Sequence, residues 1–145
     1  MRLVADRFAV HEDGRAFDLS TGARITLSIG SAGGVSEQLR WTQRCDALRL
    51  LRHRAMAPLL DYGLVGESSR FEAWRCGDLR RGRNGNTVRT IATHWLRAGG
   101  LSIGSEPSDS VHVSGTGDEV WLPDPGSGYP VDPDEGARAM PVWWL

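Results

Sequence analysis

Lysine is missing from this chain: all seventeen basic residues are arginine. That absence excludes every mechanism built on an ε-amino group, from Schiff bases to the lysine of a phosphate-binding P-loop. An arginine-favouring, GC-rich genome accounts for it, and the chemical consequence holds regardless. No apolar run approaches the roughly eighteen residues that a membrane span needs, so no membrane partner is expected. The opening "MRLVADRFAVHEDG" lacks the long apolar segment of a secretory signal, and a cytoplasmic location is expected. Cysteine is scarce. Cys45 and Cys76 stand outside any CxxC pair, and no histidine sits at ligand spacing, so reduced, buried thiols are expected rather than a disulfide or a metal site.

What is present is unevenly distributed. Residues 1–100 hold sixteen arginines against ten acids, whereas residues 101–145 hold one arginine against eight acids. A split of about +6 against −7 suggests two regions with different work. A solvated acidic linker is the expectation for the second region, and an acidic segment folding back on a basic surface is the alternative. At 145 residues, 40% hydrophobic and with six tryptophans, the chain suffices for one core of modest size.

Periodicity divides the first part. "RFAVHEDGRAFDLSTGARITLSIG" has short apolar patches separated by the turn sequences "EDG" and "STG". Ile25, Leu27 and Ile29 alternate with Arg24, Thr26 and Ser28, which predicts a half-buried strand over 23–29. Residues 36–56 follow a helical period, with Ser36 as the expected cap and Trp41, Cys45, Leu48 and Leu51 as the buried stripe. Strands are predicted at 59–65 and 70–76 around the turn "GESS". A short helix is predicted over 87–98, with Val88, Ile91, Ala92 and Trp95 on one face and Gly99-Gly100 as its stop. Beyond residue 100 the chain is acidic and turn-rich, with short strands expected at 110–113 and 120–122. The apolar end "MPVWWL" calls for a hydrophobic partner or a continuing chain, so a longer parent protein is expected.

Strands, one amphipathic helix and two more strands resemble the small N-terminal lobe of bacterial Ser/Thr protein kinases. "LRLLRHRAMAPLLDYGL" is similar to the kinase stretch L-x-x-L-x-H-P-N-I-V-x-L-L-D-Y-G, through Leu48, Leu51, His53, Met56, Ala57, Leu59, Leu60, Asp61, Tyr62 and Gly63. "TGARITLSI" resembles the turn and third strand "TGRRVALKV", and "RFEAWRCGD" falls at the fifth strand and hinge. The resemblance covers residues 5–79 and implies an α+β fold, a twisted antiparallel sheet packed on one main helix. A short helix within 80–100 and the acidic, turn-rich segment 101–145 would follow it. It also implies degenerate positions. Ser28 stands where the strand lysine would be, and Arg44 where its helix glutamate partner would be. No glycine-rich G-x-G-x-x-G loop, H-R-D loop or D-F-G segment is present, so kinase activity and a nucleotide cofactor are not expected.

The functional expectation is a non-catalytic, kinase-like regulatory or protein-interaction module at the front of a larger cytoplasmic protein. Its partner would be another protein or further domains of the same chain, met by the helix surface of Arg40, Arg44, Arg49 and Arg52. The first alternative is nucleic-acid or phospholigand binding through an arginine surface, with Arg80, Arg81 and Arg83 of "DLRRGRNGN" as weak phosphate contacts. The second is a small enzyme, for which a cleft joining His11, Asp61 or His94 would be the sign. Structural readings compete at each remaining motif. His53 is expected to close the helix end by bonding to nearby backbone, and Asp132, Asp134 and Glu135 to form a solvated acidic turn. "GLSIGSEPSDSVHV" is similar to the opening of forkhead-associated domains, but Ser105 replaces the arginine that would hold phosphate.

Overall fold

Short apolar patches between turns become short strands. The structure, a computed structural model, describes residues 1–76, 85–103, 111–113 and 117–131. Strands β1 (Arg2–Val4), β2 (Phe8–Val10), β3 (Ala16–Asp18) and β4 (Arg24–Ser31) form an antiparallel meander. Ala5 and Asp6 both take positive φ in the turn that joins the first two strands. In the "STG" turn, Gly22 takes φ +71° and donates its N–H to the Asp18 carbonyl. Helix α1 (Val35–Leu50) crosses to β5 (Leu59–Val65), which returns as β6 (Ser69–Trp74). The six strands make one curled antiparallel sheet in the order β1-β2-β3-β4-β6-β5.

Strand β6, paired on both sides by β4 and β5, is buried without a break over Phe71, Glu72, Ala73 and Trp74. Phe71 and Ala73 point to one face and join Val4, Phe8, Ala16 and Ile25 in a small core. Trp74 points to the other and joins Trp41, Cys45, Leu48 and Leu59 beneath α1. The expected helix stripe is therefore the packed one, with Leu51 partly buried at its end. The apolar alternation in β4 fades along the strand: Ile25 is buried, Leu27 half-buried and Ile29 exposed.

Two details of α1 depart from expectation. Gly34, in extended conformation, occupies the cap position, and Ser36 lies inside the helix. The side-chain amide of Gln38 donates back to the Gly33 carbonyl at 3.0 Å and ties the first turn to the preceding loop. The helix also ends at Leu50 rather than residue 56. Leu51 leaves helical geometry and packs against Gly99, where any Cβ would collide with the leucine methyls. His53 Nδ1 then accepts the Ala55 N–H at 3.0 Å, so the expected bond to nearby backbone forms in the turn after the helix rather than at its end.

Helix α2 (Gly85–Ala98) stops at Gly99-Gly100, as predicted. Its buried face is Ala92 and Leu96 with Val88 packed against the core, whereas Ile91 and Trp95 are exposed. Strands β7 (Val111–Val113) and β8 (Glu119–Trp121) pair as a separate two-stranded sheet. The described part of 101–145 is not a solvated linker. Val120, Trp121 and Ser127 are buried, and Trp121 exchanges backbone hydrogen bonds with Ala55 and Ala57. Ser102 and Gly128 bond Tyr129 and Ser102 in turn, which lays residues 128–131 along the start of the segment. Apolar side chains and paired backbone, rather than charge alone, bring this stretch into the main core.

Candidate functional site

Helix α1 carries Arg44 into the interior, where only 1% of its side chain is exposed. A buried guanidinium is costly unless its donors are met, and here each of its three nitrogens finds an acceptor. Nη1 pairs with the Glu72 carboxylate across the helix–sheet interface. Nε donates to the Ser127 carbonyl at 2.6 Å and Nη2 to the Asp124 carbonyl at 3.2 Å. One side chain thus ties α1, β6 and the 117–131 segment together. Gly128 makes room for this: it holds φ +85°, and a Cβ there would fall 2.9 Å from the Leu48 methyls.

Arginines and aromatic rings alternate along the same face. The Arg44 guanidinium lies 5.6 Å from the Tyr129 ring and 6.0 Å from Trp74, and Arg40 stands 5.4 Å from Tyr129. Arg70 lies 5.1 Å over Trp41, whose ring meets Tyr62 edge-on, and Arg49 is 6.0 Å from Tyr62. Tyr62 donates its hydroxyl to Asp46, which pushes the phenol up to about 12. Cys45, buried beneath this array, is raised to about 12 by desolvation, which favours the neutral thiol. Cys76 is also free and buried, and burial raises it too.

Two pockets flank α1. One, of about 190 Å³, is lined by Glu37, Arg40, Arg70 and Tyr129. The other, also about 190 Å³, lies under the helix's C-terminal turn, with Leu48, Leu51, Met56 and Leu59 inside and Arg49, Arg52 and Arg54 around it. Neither a protein-family model nor a curated protein matches the chain.

The residues singled out by sequence are dispersed over the structure. Arg40, Arg49 and Arg52 are exposed along α1 and just past its end. Arg44 is not on that surface, because its donors are consumed inside. Ser28 is exposed on β4 and faces Glu72 directly in the β4–β6 register. Arg80, Arg81 and Arg83 lie outside the described residues, as do Ser105, Asp132, Asp134 and Glu135. His11 packs edge-on against Phe17, Asp61 accepts the Tyr62 N–H near Arg7, and His94 is exposed on α2. Among the described residues no hydrogen bond or ion pair joins these three, and no group of three His, Cys, Asp or Glu residues is placed to hold a metal. Glu72 is the residue that sequence reading passed over. Its signal was a lone charge inside "FEAW", a run otherwise suited to burial on both faces.

Proposed function

We propose that the sheet and α1 form a non-catalytic, kinase N-lobe-like interaction module that binds a protein partner or further domains of the same chain. The observation that carries the reading is the Arg44–Glu72 ion pair. The resemblance puts a glutamate at position 44 and a lysine at position 28, joined across the helix–sheet interface. In this chain the helix supplies the cation, and the anion sits on β6 directly opposite Ser28. The tie between helix and sheet is kept with its signs exchanged and its sheet end moved one strand over. A nucleotide phosphate arriving there would meet a carboxylate instead of an ammonium, which is repulsive. The order of strands, helix and two further strands supports the same reading.

Thermal denaturation with magnesium and ATP tests it. A site of about 0.1 mM affinity would add about 2 kcal/mol at about 5 mM nucleotide, enough to raise Tm by several degrees. No shift is expected, and a shift of that size would sink the reading.

A second reading, phospholigand binding, is favoured by the pocket at Arg40 and Arg70. Both guanidiniums lie over aromatic rings, and neither has an ion pair among the described residues. Low-salt titration with inorganic phosphate and with a fluorescein-labelled oligothymidylate decides it, because counterion release makes such binding strongest there. Saturable binding lost in Arg40→Ala with Arg70→Ala supports it, and no binding removes it.

A further inference from the structure

We propose that the pocket under the C-terminal turn of α1 receives a large apolar side chain from an acidic peptide segment. This rests on the reading of the molecule as an interaction module and names the chemistry of its partner. The interior of the pocket is Leu48, Leu51, Met56 and Leu59, and its volume of about 190 Å³ accommodates a leucine or phenylalanine side chain. Its walls are held from behind. Leu51 is packed on Gly99, Leu48 on Gly128, and the His53 ring lies 5.1 Å from Trp95 while its Nδ1 fixes the Ala55 backbone. A pre-formed apolar hole of this kind binds without a large ordering cost.

The rim identifies the partner's charge. Arg49, Arg52 and Arg54 are exposed and have no carboxylate partner among the described residues. Asp46, one helical turn before Arg49 and Leu50, is engaged by the Tyr62 hydroxyl. Three cations around one apolar hole, none in an ion pair among the described residues, favour a partner with several negative charges and one greasy anchor. A single small carboxylate would leave most of the rim unmatched. Nucleic acid fits less well, because Leu48, Leu51, Met56 and Leu59 give the hole itself no polar group to meet a base edge.

Fluorescence anisotropy on the intact chain tests the proposal with a labelled heptapeptide of glutamates and aspartates around one central leucine. Saturable binding is expected, at least tenfold weaker when the leucine is replaced by serine. It should weaken at least tenfold again in the triple variant Arg49→Glu, Arg52→Glu and Arg54→Glu. That variant should instead take up a lysine-flanked leucine peptide, an exchange that a merely structural role would not produce. Should the triple variant fold poorly, Arg52→Ala with Arg54→Ala, both beyond the helix, should weaken the acidic peptide several-fold. Equal binding of the leucine and serine peptides overturns the proposal, as does no binding at all or tighter binding of an oligothymidylate. The outcome is separable from that of the nucleotide experiment: stabilisation by ATP would remove the non-catalytic reading and leave peptide binding standing, whereas an inert peptide would remove only the pocket's assignment.

Discussion

Deleting the Arg44 guanidinium would leave the Glu72 carboxylate buried without its cation. Removing one partner of a buried pair costs about 3–5 kcal/mol, whereas replacing both by apolar groups is often neutral. Arg44→Met is therefore expected to lower the urea midpoint severely, and Arg44→Met combined with Glu72→Leu to recover most of the loss. If the double variant is as unstable as the single one, the carbonyl contacts to Asp124 and Ser127 outweigh the ion pair. Asp18 offers a second test at the same scale. Its carboxylate accepts two bonds from Arg7, at 2.8 and 3.0 Å, and two from Ser20, and these contacts, led by Arg7, hold it well below the usual carboxylate range. A depressed folded value means that the stabilisation is complete above the unfolded value of about 3.9 and is lost as pH falls below it. Because Arg7 is 35% exposed, screening limits the effect to about 1–2 kcal/mol. Wild type should lose that increment between about pH 5 and pH 2 in urea titrations. Asp18→Asn should lack it at neutral pH and show a flatter acid limb.

Among the elements, α2 distinguishes which face of an amphipathic helix does the packing. Val88, Ile91, Ala92 and Trp95 form an acceptable stripe by spacing, but burial selects Ala92 and Leu96 and turns Ile91 and Trp95 outward. Leu96→Ala is expected to cost about 2–5 kcal/mol, as large-to-small changes at fully buried sites do. Trp95→Ala, at 38% exposed, should cost clearly less, and equal losses in chemical denaturation would reverse this assignment of faces. The difference shows where local pattern stops being informative. The strands of "LLDYGLV" and "SRFEAW" were readable because the turn between them is a local signal. The face of α2 was not, because Leu96 is chosen by a surface brought from elsewhere in the chain. For the same reason α1 ended earlier than its composition suggested: Leu51 answers to Gly99, not to its sequence neighbours.

At the scale of the whole molecule, the opposite charges of the two regions were legible, but the contact that joins the regions was not. Arg44 reaches the Ser127 and Asp124 carbonyls across 83 and 80 residues of sequence, and it does so through backbone oxygens that carry no sequence signal. The 117–131 segment is held at three points: Arg44, the Trp121 backbone pairing with residues 55 and 57, and the pairing of Ser102 with residues 128 and 129. Trp121 also belongs to the same buried cluster as Trp41, Trp74 and Leu96. These elements should then unfold together, with tryptophan fluorescence and far-UV circular dichroism tracing one transition. Trp121→Ala is expected to cost about 3–5 kcal/mol. If 117–131 were only laid on the surface, the variant would release that segment and leave the sheet intact. Hydrogen exchange separates the cases: a shared core predicts that amides of β5 and β6 lose protection in step with Gly128, because the openings that expose them are the same. Faster exchange confined to 117–131, with β6 unchanged, would show that the segment is a removable cover and that the core closes without it.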